Sequence, residues 1–145
     1  MPRKAKKKRR GVVDTSVLVA GVSGFKEQYV PGRVPSADLL REWAEEGNFV
    51  WLITEEILDE YKEVLKRLRV RPALIGKIIN LIRERAEAVK VRTSVAISPD
   101  PEDDPFCLCA EDGKADFLIT LNPIDFPQDR LTATILSPTE VVEHR

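Results

Sequence analysis

The 145-residue chain has few of the residue types on which many active sites depend. Its two cysteines, Cys107 and Cys109, are too few for a zinc site, and we expect buried thiols in a reducing cytoplasm. The single histidine, His144, lies next to the last residue, so histidine-based acid–base catalysis has little support. No apolar run reaches the ~18 residues of a membrane span, and the N-terminus lacks the apolar segment of a secretory signal. We therefore expect a cytoplasmic protein with no membrane segment.

Charged residues are abundant and unevenly distributed along the chain. The net charge is −1, yet residues 1–10 hold seven of the 23 basic side chains and no acidic one. The remainder carries 16 basic and 24 acidic residues, a net charge of −8. A basic segment on an acidic body is typical of nucleic-acid contact, because phosphates attract such arms irrespective of sequence. We predict that residues 1–10 form a disordered tail, which either contacts nucleic acid or is solvated without a partner.

Residues 11–145 alternate between short apolar runs and helical patterns. The apolar runs predict strands at 11–14, 49–53, 89–91, 117–120 and 132–136. Apolar spacing and capping residues predict helices at 15–22, 36–46, 54–69, from 72 onward, at 105–112 and after Ser137. Strands that alternate with helices predict an α/β fold, with a mainly parallel sheet covered by helices on both faces.

Asp14 ends the apolar run that begins at Gly11 and is the most informative residue of the chain. It therefore lies at the carboxyl end of a predicted strand, where open α/β sheets form their ligand sites. A carboxylate is costly to bury unless it is paired or binds a metal. Asp14 thus requires a partner, which other acids of the chain could share.

Glu60 is the first acid that could share a partner with Asp14. It lies three residues after Ile57 and four before Val64, and so borders the apolar stripe of the predicted helix 54–69. The alternative is that its side chain extends into solvent.

Two later segments also carry oxygen ligands. The acidic loop before the fifth predicted helix contains Asp100, Glu102, Asp103 and Asp104. Asp104 precedes a proline as an N-cap residue would, and this role alone would explain it. Asn122 and Asp125 follow the strand predicted at 117–120, on the same edge as Asp14 in a parallel sheet. The alternative there is turn chemistry, since Asn-Pro is a common start of a turn.

Carboxylates forced together repel and raise one another's pKa, and a divalent cation removes that penalty. Oxygen ligands without histidine or cysteine clusters favour Mg²⁺ or Mn²⁺ over zinc. Such an ion, alone or as a pair about 4 Å apart, can polarise a phosphodiester and activate water. The acidic segments therefore predict the chemistry of a nuclease.

Taken together, these segments resemble the PIN-domain family of metal-dependent ribonucleases, which includes the toxins of many toxin–antitoxin pairs. The matching stretches are residues 12–18, 54–61, 100–106 and 115–120. Their order, spacing and structural context carry the resemblance, rather than any single motif. It implies a PIN domain over residues 11–145, with a three-layer α/β/α sandwich and a mainly parallel sheet of about five strands.

The resemblance also assigns roles to individual residues. Asp14, Glu60 and Asp104 match the family's acidic positions, which implies that they are catalytic and bind Mg²⁺ or Mn²⁺. Asn122 stands where the family often has a fourth acid; it offers a neutral oxygen, and Asp125 is the alternative metal ligand. Supporting positions are Ser16, Thr120, Asp100 and Asp103.

The implied activity is hydrolysis of RNA phosphodiesters by a metal-dependent endoribonuclease, the toxin of a toxin–antitoxin pair. The tail would raise the affinity for RNA through Lys6, Lys7, Lys8, Arg9 and Arg10. The family further implies frequent homodimers and a small antitoxin protein that blocks the site. One alternative is a catalytically weakened PIN fold that binds RNA or a protein, motivated by Asn122. Another is a phosphoacceptor signalling domain, which would need a lysine after a later strand that the chain lacks.

Overall fold

The computed structural model describes residues 7–143, in which a five-stranded parallel sheet is surrounded by six α-helices. The strands are β1 (Arg10–Val13), β2 (Val50–Ile53), β3 (Glu87–Ala88), β4 (Phe117–Ile119) and β5 (Thr134–Leu136). The helices are α1 (Thr15–Ala20), α2 (Pro35–Glu46), α3 (Glu55–Arg67), α4 (Pro72–Arg85), α5 (Asp104–Asp112) and α6 (Pro138–Glu143). No helix within residues 7–143 has the length and apolar character needed to cross a bilayer. Lys6 lies outside the described residues.

The sheet has the strand order β3-β2-β1-β4-β5, and each neighbouring pair is parallel. Residues 11–13 of the central strand β1 are all buried. Because consecutive residues of a strand point to opposite faces, both faces of β1 must be covered. Such burial is typical of parallel sheets with helices on either side. The predicted α/β fold, with a parallel sheet of about five strands, is confirmed.

The order of the strands creates a switch point between β1 and β4. The chain builds the sheet from β1 outward through β2 and β3, and then crosses to the other side of β1 to form β4 and β5. Ligand sites of open parallel sheets lie at the carboxyl ends of the strands on either side of such a reversal. Asp14 follows β1 at this point, and its backbone N–H donates to the carbonyl oxygen of Ile119 at 2.9 Å.

Helix α3 is fixed in place by its N-terminal cap and its apolar face. Thr54 caps the N-terminus, since its Oγ1 accepts a hydrogen bond from the backbone N–H of Ile57 at 3.1 Å. The buried face includes Tyr61, whose hydroxyl donates to the carbonyl oxygen of Val13 at 2.5 Å. This bond joins the residue after Glu60 to the residue before Asp14, and so fixes the two acids relative to each other.

Two predicted boundaries need correction. Ordered structure begins before residue 11, because Arg10 opens β1 and the carbonyl oxygen of Arg9 accepts from Val50 N–H at 2.8 Å. The prediction of disorder is therefore wrong for Arg9 and Arg10, and residues 1–6 lie outside the described residues. The strand predicted at 89–91 lies instead at Glu87–Ala88. Both of its residues are exposed, so no apolar run marks its position.

Gly24 lies so close to α2 that it has no room for a side chain. A Cβ at this position would be 2.5 Å from the carbonyl oxygen of Ala37. We predict that Gly24→Ala lowers the free energy of unfolding by about 1–3 kcal/mol, the usual cost of overpacking. Urea denaturation measures this change.

The matched control is Gly76→Ala, where an added Cβ meets nothing within 4 Å. Because Gly76 lies inside α4, alanine there should stabilise the fold by about 0.5–1 kcal/mol. Equal stability of Gly24→Ala and the wild type would show that the Gly24 turn moves away from α2 without cost.

Candidate acidic active site

Asp14 lies at the carboxyl edge of the sheet, where one of its carboxylate oxygens accepts hydrogen bonds and the other accepts none from the described residues. The residue is only 7% exposed. Oδ2 accepts hydrogen bonds from Ser16 Oγ at 2.7 Å and from Thr120 Oγ1 at 2.8 Å. Oδ1 accepts none from the residues that the structure describes, so it is available to a ligand.

Ser16 and Thr120 also bind the loop that follows β4. Thr120 Oγ1 accepts from the backbone N–H of Asn122 at 3.0 Å. Ser16 Oγ accepts from the backbone N–H of Leu121 at 3.2 Å. Ser16 and Thr120, two of the four predicted supporting residues, thus contact Asp14 directly, and they also place Asn122 beside it.

Glu60 reaches the same place from α3. Thr15 Oγ1, in the first turn of α1, donates a hydrogen bond to Glu60 Oε2 at 2.7 Å. Burial raises the pKa of Glu60, and the negative charge of Asp14 raises it further, while the bond from Thr15 opposes the change. Glu60 therefore borders a site rather than extending freely into solvent.

The loop before α5 contributes Asp103 rather than Asp104 to this site. Asp104 Oδ1 accepts hydrogen bonds from the backbone N–H groups of Ile97 and Ser98, both at 2.8 Å. Asp104 is not among the residues that line the acidic cavity, whereas Asp103 is. Asp103 immediately precedes α5, and its carbonyl oxygen accepts a hydrogen bond from the backbone N–H of Phe106 at 3.2 Å, in the first turn of that helix. The structure thus places the residue before Asp104 where the resemblance had placed Asp104 itself.

The acids line one open cavity of about 340 Å³ at the carboxyl edge of the sheet. Its lining residues are Asp14, Thr15, Ser16, Glu60, Glu63, Val64, Arg67, Glu102, Asp103, Phe106 and Asn122. Five of these side chains are carboxylates, and Arg67 is the one cation among them. The cavity therefore carries a large excess of negative charge.

The electrostatics of Asp103 show the effect of this charge. Burial raises the pKa of Asp103 to about 6, with further contributions from the negative charges of Asp100, Asp14 and Asp125. A carboxylate whose ionised form is disfavoured in this way is stabilised when a cation approaches. The site is thus suited to binding a positively charged ligand.

Of the remaining predicted site residues, Asn122 lines the cavity, whereas Asp100 and Asp125 do not. Asn122 lines it, as predicted for the position that often holds a fourth acid. Asp125 is exposed in a short 3-10 turn outside the lining, although its charge still affects Asp103. Asp100 Oδ1 accepts from the backbone N–H of Glu102 at 2.9 Å, so it shapes the acidic loop rather than facing the cavity.

Sequence reasoning missed Glu63 and Arg67 as cavity residues. They follow Glu60 by three and seven positions on α3, and so share its face of the helix. Arg67 Nη2 lies 3.1 Å from Glu63 Oε1, and both side chains are largely exposed. The helical spacing was the available signal, but the exposure of these side chains cannot be distinguished from ordinary surface solvation in the sequence.

The oxygen donors of the cavity are of the type that binds a hard divalent cation, but they are too far apart to hold one as they stand. Carboxylate and amide oxygens are the ligands that Mg²⁺ and Mn²⁺ prefer. Within residues 7–143, however, no three His, Cys, Asp or Glu side chains are close enough to hold a metal ion. Metal binding would therefore need the carboxylates of the cavity to move closer together.

A parallel α/β sheet with a carboxylate-lined cavity at its switch point defines the general class of this protein. The chain belongs to the PIN-domain family, whose profile, described as "PIN domain", matches residues 10–123. The predicted resemblance is thus confirmed.

The fold is similar to that in the crystal structure of VapBC2 from Rickettsia felis bound to a DNA fragment from their promoter. That match has 15% sequence identity and a TM-score of 0.54, and it covers 88% of this chain and 96% of that chain. At this identity the likeness concerns the fold alone. No curated protein sequence matches the chain.

Proposed function

We propose that the chain is a Mg²⁺- or Mn²⁺-dependent endoribonuclease and the toxin component of a toxin–antitoxin pair. The observation that carries this proposal is the cavity at the switch point, which is lined by five carboxylates together with Asn122 and Arg67. PIN domains are generally nucleases, and the family match covers residues 10–123. The similar fold of a VapBC2 complex favours a small antitoxin protein as a partner. The family also motivates a homodimer, and a cytoplasmic location follows from the same role.

The proposed metal ligands are Asp14, Glu60 and Asp103, with Asn122 as a neutral oxygen donor. When bound, the metal would supply Lewis-acid polarisation of the phosphodiester and a more acidic water. Asp14 is suited to this role because its Oδ2 is fixed by two hydroxyl groups while its Oδ1 is unused within the described residues. Asp104 is then a positioning residue, which holds the loop before α5 through its bonds to two backbone N–H groups.

Other side chains of the cavity would bind and orient the RNA. Arg67 offers a guanidinium group at the rim, and guanidinium groups match the geometry of phosphate oxygens. Phe106 is buried and lines the cavity, so its ring would give the RNA an apolar contact there. Thr15 keeps Glu60 turned toward Asp14 through its hydrogen bond.

Cleavage of a short, labelled single-stranded RNA tests the proposal. We expect the purified chain to cut the RNA with Mn²⁺ or Mg²⁺, to stop when EDTA is added, and to recover when Mn²⁺ is restored in excess. Gel analysis of the labelled fragments measures the reaction. A folded protein that leaves RNA intact with either metal, over a range of RNA sequences, would contradict the proposed activity.

A second candidate function is a PIN fold with weakened catalysis that binds RNA or a protein. The neutral Asn122 in the cavity and the absence of a complete metal-binding group in residues 7–143 favour it. Calorimetric titration with Mn²⁺ separates the two functions, because a catalytic site must bind the metal at millimolar concentrations and a binding module need not.

A further inference from the structure

A second cavity, of about 590 Å³, lies at the opposite edge of the sheet from the acidic one. Its lining includes Arg10 and Glu87, which open β1 and β3, and Asp116, which precedes β4. The acidic cavity follows the carboxyl ends of β1 and β4 instead. The four residues of β1 therefore separate the two edges, a distance of roughly 13 Å at about 3.3 Å per residue.

This second cavity is basic. Its cationic lining side chains are Lys7, Lys8, Arg9, Arg10, Lys90 and Lys114. Its three carboxylates already have partners: Glu87 pairs with Arg10, and Asp116 Oδ2 accepts from Arg10 N–H at 2.7 Å. Asp112 accepts from the backbone N–H and the hydroxyl of Thr93, at 2.9 and 2.6 Å. Six cations and three engaged carboxylates leave a net charge of +3, in a chain whose overall charge is −1.

Ordered backbone contacts hold this charge in place. Val50 N–H donates to the carbonyl oxygen of Arg9 at 2.8 Å, and Asp116 N–H donates to that of Arg10 at 2.7 Å. The Arg9 guanidinium lies 5.0 Å from the centroid of the Phe117 ring. The Arg10 side chain already has partners within the fold, since it pairs with Glu87 and donates from Nε to the carbonyl oxygen of Gly113 at 3.1 Å. Backbone hydrogen bonds to β2 and to the start of β4 therefore fix Arg9 and Arg10 at this cavity.

Lys114 is the most informative residue of the cavity. Its φ of +53° is in the left-handed region, which follows a helix most often at glycine or asparagine. This conformation belongs to the turn that ends α5, in which the backbone N–H of Lys114 donates to the carbonyl oxygen of Glu111 at 3.2 Å. The ammonium groups of Lys114 and Lys90 form no hydrogen bond or ion pair with residues 7–143. Both lysines are exposed at the cavity and lack an anionic partner there.

We propose that this basic cavity binds the phosphate backbone of RNA and anchors the strand remotely from the acidic cavity. RNA as the ligand rests on the proposed function, while the anionic character of the ligand rests on the lining itself. Cationic side chains attract the phosphates of a strand irrespective of its sequence, and this lining has six cations against three carboxylates that already have partners. Lys90 and Lys114 supply the contacts, with Lys7, Lys8 and Arg9 beside them.

The salt dependence of RNA binding tests this proposal. Fluorescence anisotropy gives the dissociation constant of a labelled single-stranded RNA in EDTA at several salt concentrations. We expect Lys114→Asn to reduce the slope of log K against log salt by about 0.7, the value for one lost phosphate contact on a single strand. Lys90→Gln combined with Lys114→Asn should reduce it by about 1.4. Asparagine accepts the left-handed conformation, so the fold should be retained.

Arg69→Asn is the matched control. Within residues 7–143, Arg69 is the other non-glycine residue with positive φ, at +60°, and it lines a different, largely apolar cavity between α3 and α4. Its substitution removes the same charge at the same backbone conformation, and the salt slope should stay at the wild-type value. An unchanged slope in the Lys90 and Lys114 variants would overturn the proposal. An equal reduction in Arg69→Asn would overturn it as well, because it would reveal only general surface charge.

The measurement in EDTA separates this proposal from the nuclease activity. A reduced slope in a protein that never cleaves RNA would support the anchor and reject the nuclease. Cleavage by a protein whose slope is unaffected by the lysine substitutions would support the nuclease and reject the anchor. If Lys114→Asn fails to fold, Lys90→Gln alone decides, with an expected reduction of about 0.7.

Discussion

Asp14→Asn should lower the rate of Mn²⁺-dependent RNA cleavage by at least about 100-fold, the scale on which losing one electrostatic group affects an active site. Asparagine has nearly the shape of aspartate, and its Oδ1 can still accept the hydrogen bonds that Ser16 and Thr120 now donate. The change therefore removes the charge while it preserves the local structure. Initial cleavage rates and calorimetric metal affinity measure the effect, and thermal unfolding verifies the fold.

Asp59→Asn is the control for this substitution. Asp59 is an exposed acid beside Glu60 on α3, and it does not line the cavity. Its variant should cleave RNA and bind Mn²⁺ like the wild type. If Asp14→Asn matched the wild type in both measurements, the placement of the metal at Asp14 would be wrong.

The neighbouring acids Asp103 and Asp104 should respond to alanine in opposite ways. Asp103→Ala should reduce cleavage by at least about 100-fold and raise the thermal unfolding temperature in EDTA. The temperature rises because burial and nearby acids lift the pKa of Asp103 to about 6, so the ionised carboxylate destabilises the fold at neutral pH. Differential scanning calorimetry and cleavage rates measure the two effects.

Asp104→Ala should instead destabilise the protein and lose less activity. Its carboxylate accepts two backbone N–H groups at 2.8 Å, and leaving such donors unpaired costs about 1–3 kcal/mol. The reverse pattern, with an inactive but stable Asp104→Ala and an active Asp103→Ala, would show that Asp104 and not Asp103 is the catalytic residue.

The regular parts of the fold could be predicted from the sequence because local patterns determine them. The buried runs of β1 and β2 are apolar, and α3 has both an apolar stripe and the Thr54 cap. Strand β3 was predicted two residues too far along the chain, because its two exposed residues have no apolar pattern. Its position depends on pairing with β2, which the local sequence does not encode.

Only part of the candidate site could be predicted from the sequence. Asp14 and Glu60 lie on or beside regular elements, so period and position located them. Whether Asp103 or Asp104 lines the cavity depends on which of the two carboxylates accepts the hydrogen bonds from the backbone N–H groups of Ile97 and Ser98. The structure of the loop before α5 decides this, and local sequence patterns do not predict it. The order at Arg9 likewise depends on Val50, which is distant in sequence.

Anomalous scattering from Mn²⁺ tests most directly the central claim that the acidic cavity holds the catalytic metal. Crystals grown without metal and then soaked in Mn²⁺ should show an anomalous peak in this cavity. It should lie about 2.0–2.2 Å from a carboxylate oxygen of Asp14, a normal distance for a small divalent ion, with Glu60 or Asp103 as a second ligand. Crystals of Asp14→Asn should lack it. A peak elsewhere, or an empty cavity in a preparation that cleaves RNA with Mn²⁺, would contradict the claim.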